Sequence, residues 1–175
     1  MKAVIAVLVV LALEAAALLA VVYLGLVDVS ATKPDAKIVR WFLETTRDNA
    51  VDRRARGLTV PEGQLASREW VELGHSHYRR TCAGCHGAPG APQTGVAQAF
   101  NPRPPEFYKP ENSIFDEPRQ AFWIAKHGLR MTGMPAFGST LSDEQIWPTI
   151  AFTMILPRIS TEMYRAPGTE ESAQD

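Results

Sequence analysis

The chain holds two cysteines, and they stand two residues apart: Cys82 and Cys85, in the stretch YRRTCAGCHGAPG, with His86 directly behind them. No other feature narrows the fold so far. The spacing C-x-x-C-H suits covalent attachment of a haem, with two thioether bonds to the porphyrin edge and a histidine ring nitrogen beneath the iron. Two other readings of the pair find no support nearby. A thioredoxin-like C-x-x-C sits in a βαβ context, and none is visible. A structural zinc site takes four ligands in paired groups, and there is no second pair. With no cysteine left over, disulfides cannot hold the fold either.

The flanking sequence has the parts of a haem pocket. From Gly87 to Glu111 it is irregular and rich in Gly and Pro. Loops this long are unusual in a compact domain unless they serve a ligand. A large flat cofactor accounts for this one, because the segment packs on the porphyrin. Before it, Ser67 predicts an N-cap, with Glu69 in the first turn. The helix that follows carries Trp70, Val71, Leu73, Gly74 and Tyr78 along one side. Gly74 costs about 1 kcal/mol inside a helix, which close approach of another helix would offset. The partner is predicted at the far end: Ser142 and Gln145 have capping-box spacing, and Ile146, Trp147, Ile150, Ala151, Met154 and Ile155 follow at helical intervals. Pro148 removes one backbone bond and predicts an early bend; Pro157 ends the helix. A shorter helix is expected from about Glu117 to His127, with Pro118 in its first turn and Gly128 as its stop. Little reads as strand.

An iron held by one histidine has a second axial face. The stretch RMTGMPAFG offers Met134 between Gly133 and Pro135. The proline restricts its own φ and the residue before it, which aims the thioether. Met131 competes from a less rigid setting, and G-M-P is the stiffer of the two. A neutral, soft thioether favours Fe(II) relative to a second imidazole, and so raises the potential. His75 and His77 read as surface or packing residues, and His127 suits the last turn of a helix; each is an alternative to Met134 as the second iron ligand. Met154 and Met163 read as core filler.

Residues 3–27 are almost wholly apolar, long enough for a spanning helix and too long for an ordinary secretory h-region. We expect an uncleaved anchor; the alternative is a removed signal, for which Ala15, Ala16, Ala17 and Ala20 could mimic the cleavage site. Glu14 lies mid-span, either as a contact for another membrane helix or as a tolerated, protonated carboxyl. Lys33, Lys37 and Arg40 follow the span, whereas Lys2 alone precedes it. A positive-inside count would put the main domain in the cytoplasm, although sizeable domains translocate regardless of charge. After Pro34, residues from about Asp35 to Arg56 read as helical, with Ile38, Val39, Phe42, Leu43 and Val51 apolar. Arg47, Arg53, Arg54 and Arg56 make the second half basic, either a solvated face or a docking face for headgroups or an acidic partner. The expected division is an anchor over 3–27, a helical connector and linker over 28–66, a haem domain over 67–165 and a disordered acidic tail over 166–175.

At these residues the chain resembles the class I cytochrome c family. It is similar to small membrane-anchored monohaem members and to the cytochrome c domains of cbb3-type oxidases. The resemblance rests on CAGCHG, HGLRMTGMPAFG and LSDEQIWPTIAF, within about Ser67 to Tyr164. It implies a mostly α chain: an N-terminal transmembrane helix, a helical connector and a class I cytochrome c-like all-α haem domain. Its first and last helices would cross near Gly74/Tyr78 and Trp147/Phe152. It implies one covalent haem c, attached at Cys82 and Cys85, with His86 as proximal and Met134 as distal iron ligand. Pro148 departs from the family's unbroken last helix. Members like this are matured on the periplasmic side, so the haem domain would face the periplasm from the bacterial inner membrane.

The formal net charge is −1, so bulk charge points neither to nucleic acid nor to a polyanionic substrate. No nucleophile–base pair stands out, and the chain reads as an electron-transfer protein rather than an enzyme. The expected role is a membrane-tethered one-electron carrier in a respiratory or photosynthetic chain. Its partners would be membrane redox complexes (a quinol-oxidising complex, a terminal oxidase or a dehydrogenase) and the lipid bilayer. The alternatives are a fixed subunit of a larger oxidoreductase and a gas-binding or peroxidase-type haem protein. Arg79, Arg80, Arg103 and Lys109 are candidates for steering a partner to the haem edge, or are ordinary solvated charge.

Overall fold

The computed structural model describes residues 1–112 and 118–166. The expected acidic tail lies, beyond residue 166, outside the described residues, as does Glu117. In order the helices are α1 (Lys2–Tyr23), α2 (Lys37–Ala55), α3 (Glu62–Leu65), α4 (Arg68–Thr81), α5 (Ala83–His86), α6 (Gly95–Gln98), α7 (Pro118–His127), α8 (Asp143–Ile155) and α9 (Thr161–Arg165). Among the described residues there is no strand, only a lone bridge between Ala88 and Ala91. The mostly α expectation therefore holds. The chain forms two units, Met1–Lys33 and the remainder from Pro34.

The first unit is α1, a 22-residue helix with no buried residue. At 1.5 Å per residue it extends about 33 Å, enough for a ~30 Å hydrocarbon layer. Its length and composition would let it cross a membrane.

In the second unit α2 buries Val51 and Ala55 and packs against α7. Its first turns leave Ile38, Trp41 and Phe42 exposed. The centre is the crossing of α4 and α8. A Cβ at Gly74 would collide with the Pro148 carbonyl oxygen and lie 2.9 Å from Phe152 Cβ, so only glycine lets the two backbones come this close. Tyr78, one turn on, meets Phe152 with ring centroids 5.5 Å apart.

Both helices are capped as their sequences predict. Ser67 accepts from the Trp70 N–H, and Ser142 and Gln145 form a reciprocal capping box. Each such cap is worth about 1 kcal/mol. α8 runs continuously through Pro148. The carbonyl that loses its partner there is that of Glu144, an exposed residue in the first turn. Every residue from Ile146 to Phe152 is buried, because α8 serves two clusters. One joins Tyr78, Ala88, Phe152, Leu156 and Tyr164. The other joins Ala121, Phe122, Ile146, Trp147 and Ile150, with Phe122 stacked on Trp147 at 4.1 Å.

The methionines expected as filler do not sit in either cluster. Met154 and Met163 are both exposed, since α8 and α9 turn those positions outward.

Candidate functional site

Cys82 closes α4 and opens α5, so the two cysteines and His86 lie on one tight turn. The Cys85 and His86 amides both bond the Cys82 carbonyl, at 3.1 and 2.9 Å. Gly87 then takes φ +64, and a Cβ there would lie 2.9 Å from the Tyr108 ring. The fully buried Tyr78 donates its hydroxyl to the Gly87 carbonyl oxygen at 2.7 Å. Burial drives the Tyr78 phenol far above its ordinary pKa, so it stays a donor.

His86 is 7% exposed, and its ring stacks on Phe107 with centroids 4.3 Å apart. Its Nδ1 lies 2.8 Å from the Pro105 carbonyl oxygen. A carbonyl only accepts, so Nδ1 carries the proton and Nε2 keeps its lone pair. Burial lowers the His86 pKa against the pull of that carbonyl, which favours the neutral ring a metal needs. Cys82 and Cys85 are partly buried free thiols. Cys82 packs on the cluster around Tyr78 and Phe152, and burial pushes its thiol up to about 12.

The Gly/Pro-rich segment is tied down by side chains that pattern reading did not single out. Gln93, 3% exposed, donates from Nε2 to the carbonyls of Cys85 and Pro104, both at 2.7 Å. Its Oε1 accepts from Arg103 Nε at 2.6 Å. Glu106 accepts from the Tyr108 hydroxyl at 2.9 Å and from Lys109 at 2.5 Å. Lys109 in particular holds the Glu106 carboxyl below its ordinary pKa. The one sequence signal for these anchors is a polar residue set among Gly and Pro.

The second loop follows α7, where Gly128 at φ +67 lets the chain fold back. A Cβ there would come within 2.8 Å of Met134 O and Ala136 N. The Leu129 amide bonds the Met134 carbonyl at 3.2 Å. Thr132 links the loop internally, its hydroxyl donating to Leu129 O at 2.8 Å and accepting from the Met134 amide at 3.1 Å. Met134 is partly buried, whereas Met131 is 81% exposed at φ +60. The long segment touches both loops: Phe107 lies on His86, and Phe100 presses on Gly133, whose Cβ would fall 2.8 Å from its ring.

The other histidines are engaged elsewhere or exposed. His75 Nε2 lies 2.8 Å from Tyr164 O between the Phe152 and Tyr164 rings, and His77 is buried beside Arg80. Both are packing rather than surface residues. His127 is exposed beside Trp123. Of the four candidate steering cations, Arg103 bonds Gln93 and Lys109 bonds Glu106, while Arg80 bonds Ser76. Among the described residues no three His, Cys, Asp or Glu side chains gather into a bare metal site.

Two thiols on one turn and a buried neutral imidazole with its second nitrogen occupied fit a covalently held haem, while Met134 stands on a separate, internally bonded loop. Residues 70–152 match the family model described as cytochrome c oxidase, cbb3-type, subunit III. No curated protein matches the chain.

Proposed function

Residues 70–152 are a class I c-type cytochrome domain of the cbb3-oxidase type, with covalently attached haem c and a role in electron transfer, and on that footing we propose that the chain is a membrane-tethered one-electron carrier. Cys82 and Cys85 would form the thioethers, and His86 and Met134 would hold the iron. The observation that carries this reading is the His86 ring, buried, stacked on Phe107 and donating Nδ1–H to Pro105. Ligating histidines are oriented in this way by a partner on their other nitrogen.

The bound haem supplies one-electron Fe(II)/Fe(III) chemistry. The chain's own residues keep that exchange simple. Pro105 and Phe107 hold the imidazole, and Thr132 and Leu129 hold the Met134 backbone, so neither ligand has to move. Cys82 packs on the Tyr78 cluster, which fixes the turn that would carry the thioethers. Helix α1 is the anchor, residues 28–66 connect it to the haem domain over 67–165, and that domain faces the periplasm. Tethering raises the effective concentration near membrane redox complexes. A quinol-oxidising complex, a terminal oxidase or a dehydrogenase would be donor or acceptor.

The family description names an oxidase subunit, which favours a second reading: a fixed subunit of a larger complex. Purification from native membranes in mild detergent tests both. A haem-stained band whose mass equals the full chain plus one haem supports the anchored cytochrome. Stoichiometric co-purification with an oxidase supports the fixed subunit. A colourless protein of bare polypeptide mass overturns the haem reading.

A further inference from the structure

We infer that Gln93 is a positioning residue for the proximal imidazole: it clamps Pro104 to the attachment turn and so sets the hydrogen bond between His86 Nδ1 and Pro105. A carboxamide 3% exposed must have its polar atoms bonded. Here they are, with both donor bonds at 2.7 Å, to Cys85 O and Pro104 O, and the acceptor bond at 2.6 Å from Arg103. Two carbonyls on one side and a guanidinium on the other admit an amide in a single orientation. A carboxylate has nothing to donate there.

The two donor bonds close a ring. Cys85 is the covalent neighbour of His86, and Pro104 is the covalent neighbour of Pro105, whose carbonyl oxygen lies 2.8 Å from Nδ1. Neither proline has an N–H with which to secure the backbone, so this stretch depends on acceptor bonds for its position. Gln93 supplies one of them. Donation from Nδ1 gives the ring partial imidazolate character, which stabilises ferric iron, and a weaker bond raises the potential. The inference rests on His86 being an axial ligand, as proposed above.

The test uses full-chain holoprotein in detergent with Gln93→Met and Gln93→Asn. At fixed ambient potential the ferrous-to-ferric ratio should rise about tenfold in Gln93→Met, which is ~59 mV for one electron, and less in Gln93→Asn. The hyperfine-shifted Nδ1–H resonance of His86 should move and exchange faster. A variant that matures with the ratio and the resonance unchanged overturns the inference, even if its thermal midpoint falls. The wild type gives a measurement independent of variant folding. Its Nδ1–H and its Gln93 carboxamide protons should exchange through one opening event. Nδ1–H exchange more than tenfold faster, with the carboxamide still protected, overturns the inference alone. A wild-type spectrum with no strongly shifted imidazole resonance overturns the His86 ligation and this inference with it.

Discussion

Tyr78 and Gly87 are joined by a 2.7 Å hydrogen bond that ties the end of α4 to the residue just past His86. The donor is fully buried, and the acceptor sits where the chain reverses at φ +64. The bond therefore fastens the attachment turn to the α4/α8 crossing.

Tyr78→Phe removes the donor and leaves a buried carbonyl unpaired. Such a change costs about 1–3 kcal/mol. Guanidinium unfolding of the holoprotein should show that loss with an unchanged m-value. Full retention of stability would mean that water replaces the hydroxyl.

Gly74→Ala places a methyl group against the Pro148 carbonyl oxygen and 2.9 Å from Phe152 Cβ. Backbone cannot step aside as a flexible side chain does. We expect a loss of at least ~3 kcal/mol, at the upper end for overpacking, or failure to mature. Gly95→Ala is the control: nothing lies within 4 Å of its Cβ, and the change should stabilise by about 0.4–1 kcal/mol through the unfolded chain. Thermal melts of both variants against wild type decide this.

Met134→Ala should abolish the near-infrared charge-transfer band of Met-ligated ferric haem and let CO bind without displacing a ligand. Met131→Ala should keep the band. Because Met131 sits at φ +60, Met131→Gly should raise stability by up to ~1 kcal/mol, the left-handed strain relieved less glycine's entropy. A lost band in the Met131 variants would reassign the sulfur ligand.

Glu106 has a folded pKa held below its ordinary 4.5, chiefly by Lys109. A depressed carboxylate stabilises above its unfolded pKa, and that stability is lost as pH falls through the folded value. Acid titration of the unfolding midpoint should therefore show wild type and Glu106→Gln differing most above pH 4.5 and converging below it. Parallel curves would place the acid sensitivity elsewhere.

What the sequence showed in advance was what depends on near neighbours. Ser67, Ser142 with Gln145, and Gly128 act within a turn of their own helices, and each is where pattern reading put it. Gly74 was also legible, because a glycine on an apolar helical face asks for a close partner. The anchoring by Gln93, the Phe100 contact and the Pro105 bond to His86 were not. Those depend on the path of an irregular segment, and that path has no periodicity to read. Nor could sequence reveal that Met131 is left-handed and exposed, or that Met154 and Met163 face outward. A methionine fits either environment at little cost.

The two apolar clusters have one wall in common, the stretch of α8 from Ile146 to Phe152. The side that packs on the attachment turn and the side that packs on α7 thus melt together or not at all. Cooperativity across the domain is built into that shared span, and amides on the two sides should report the same slowest exchange.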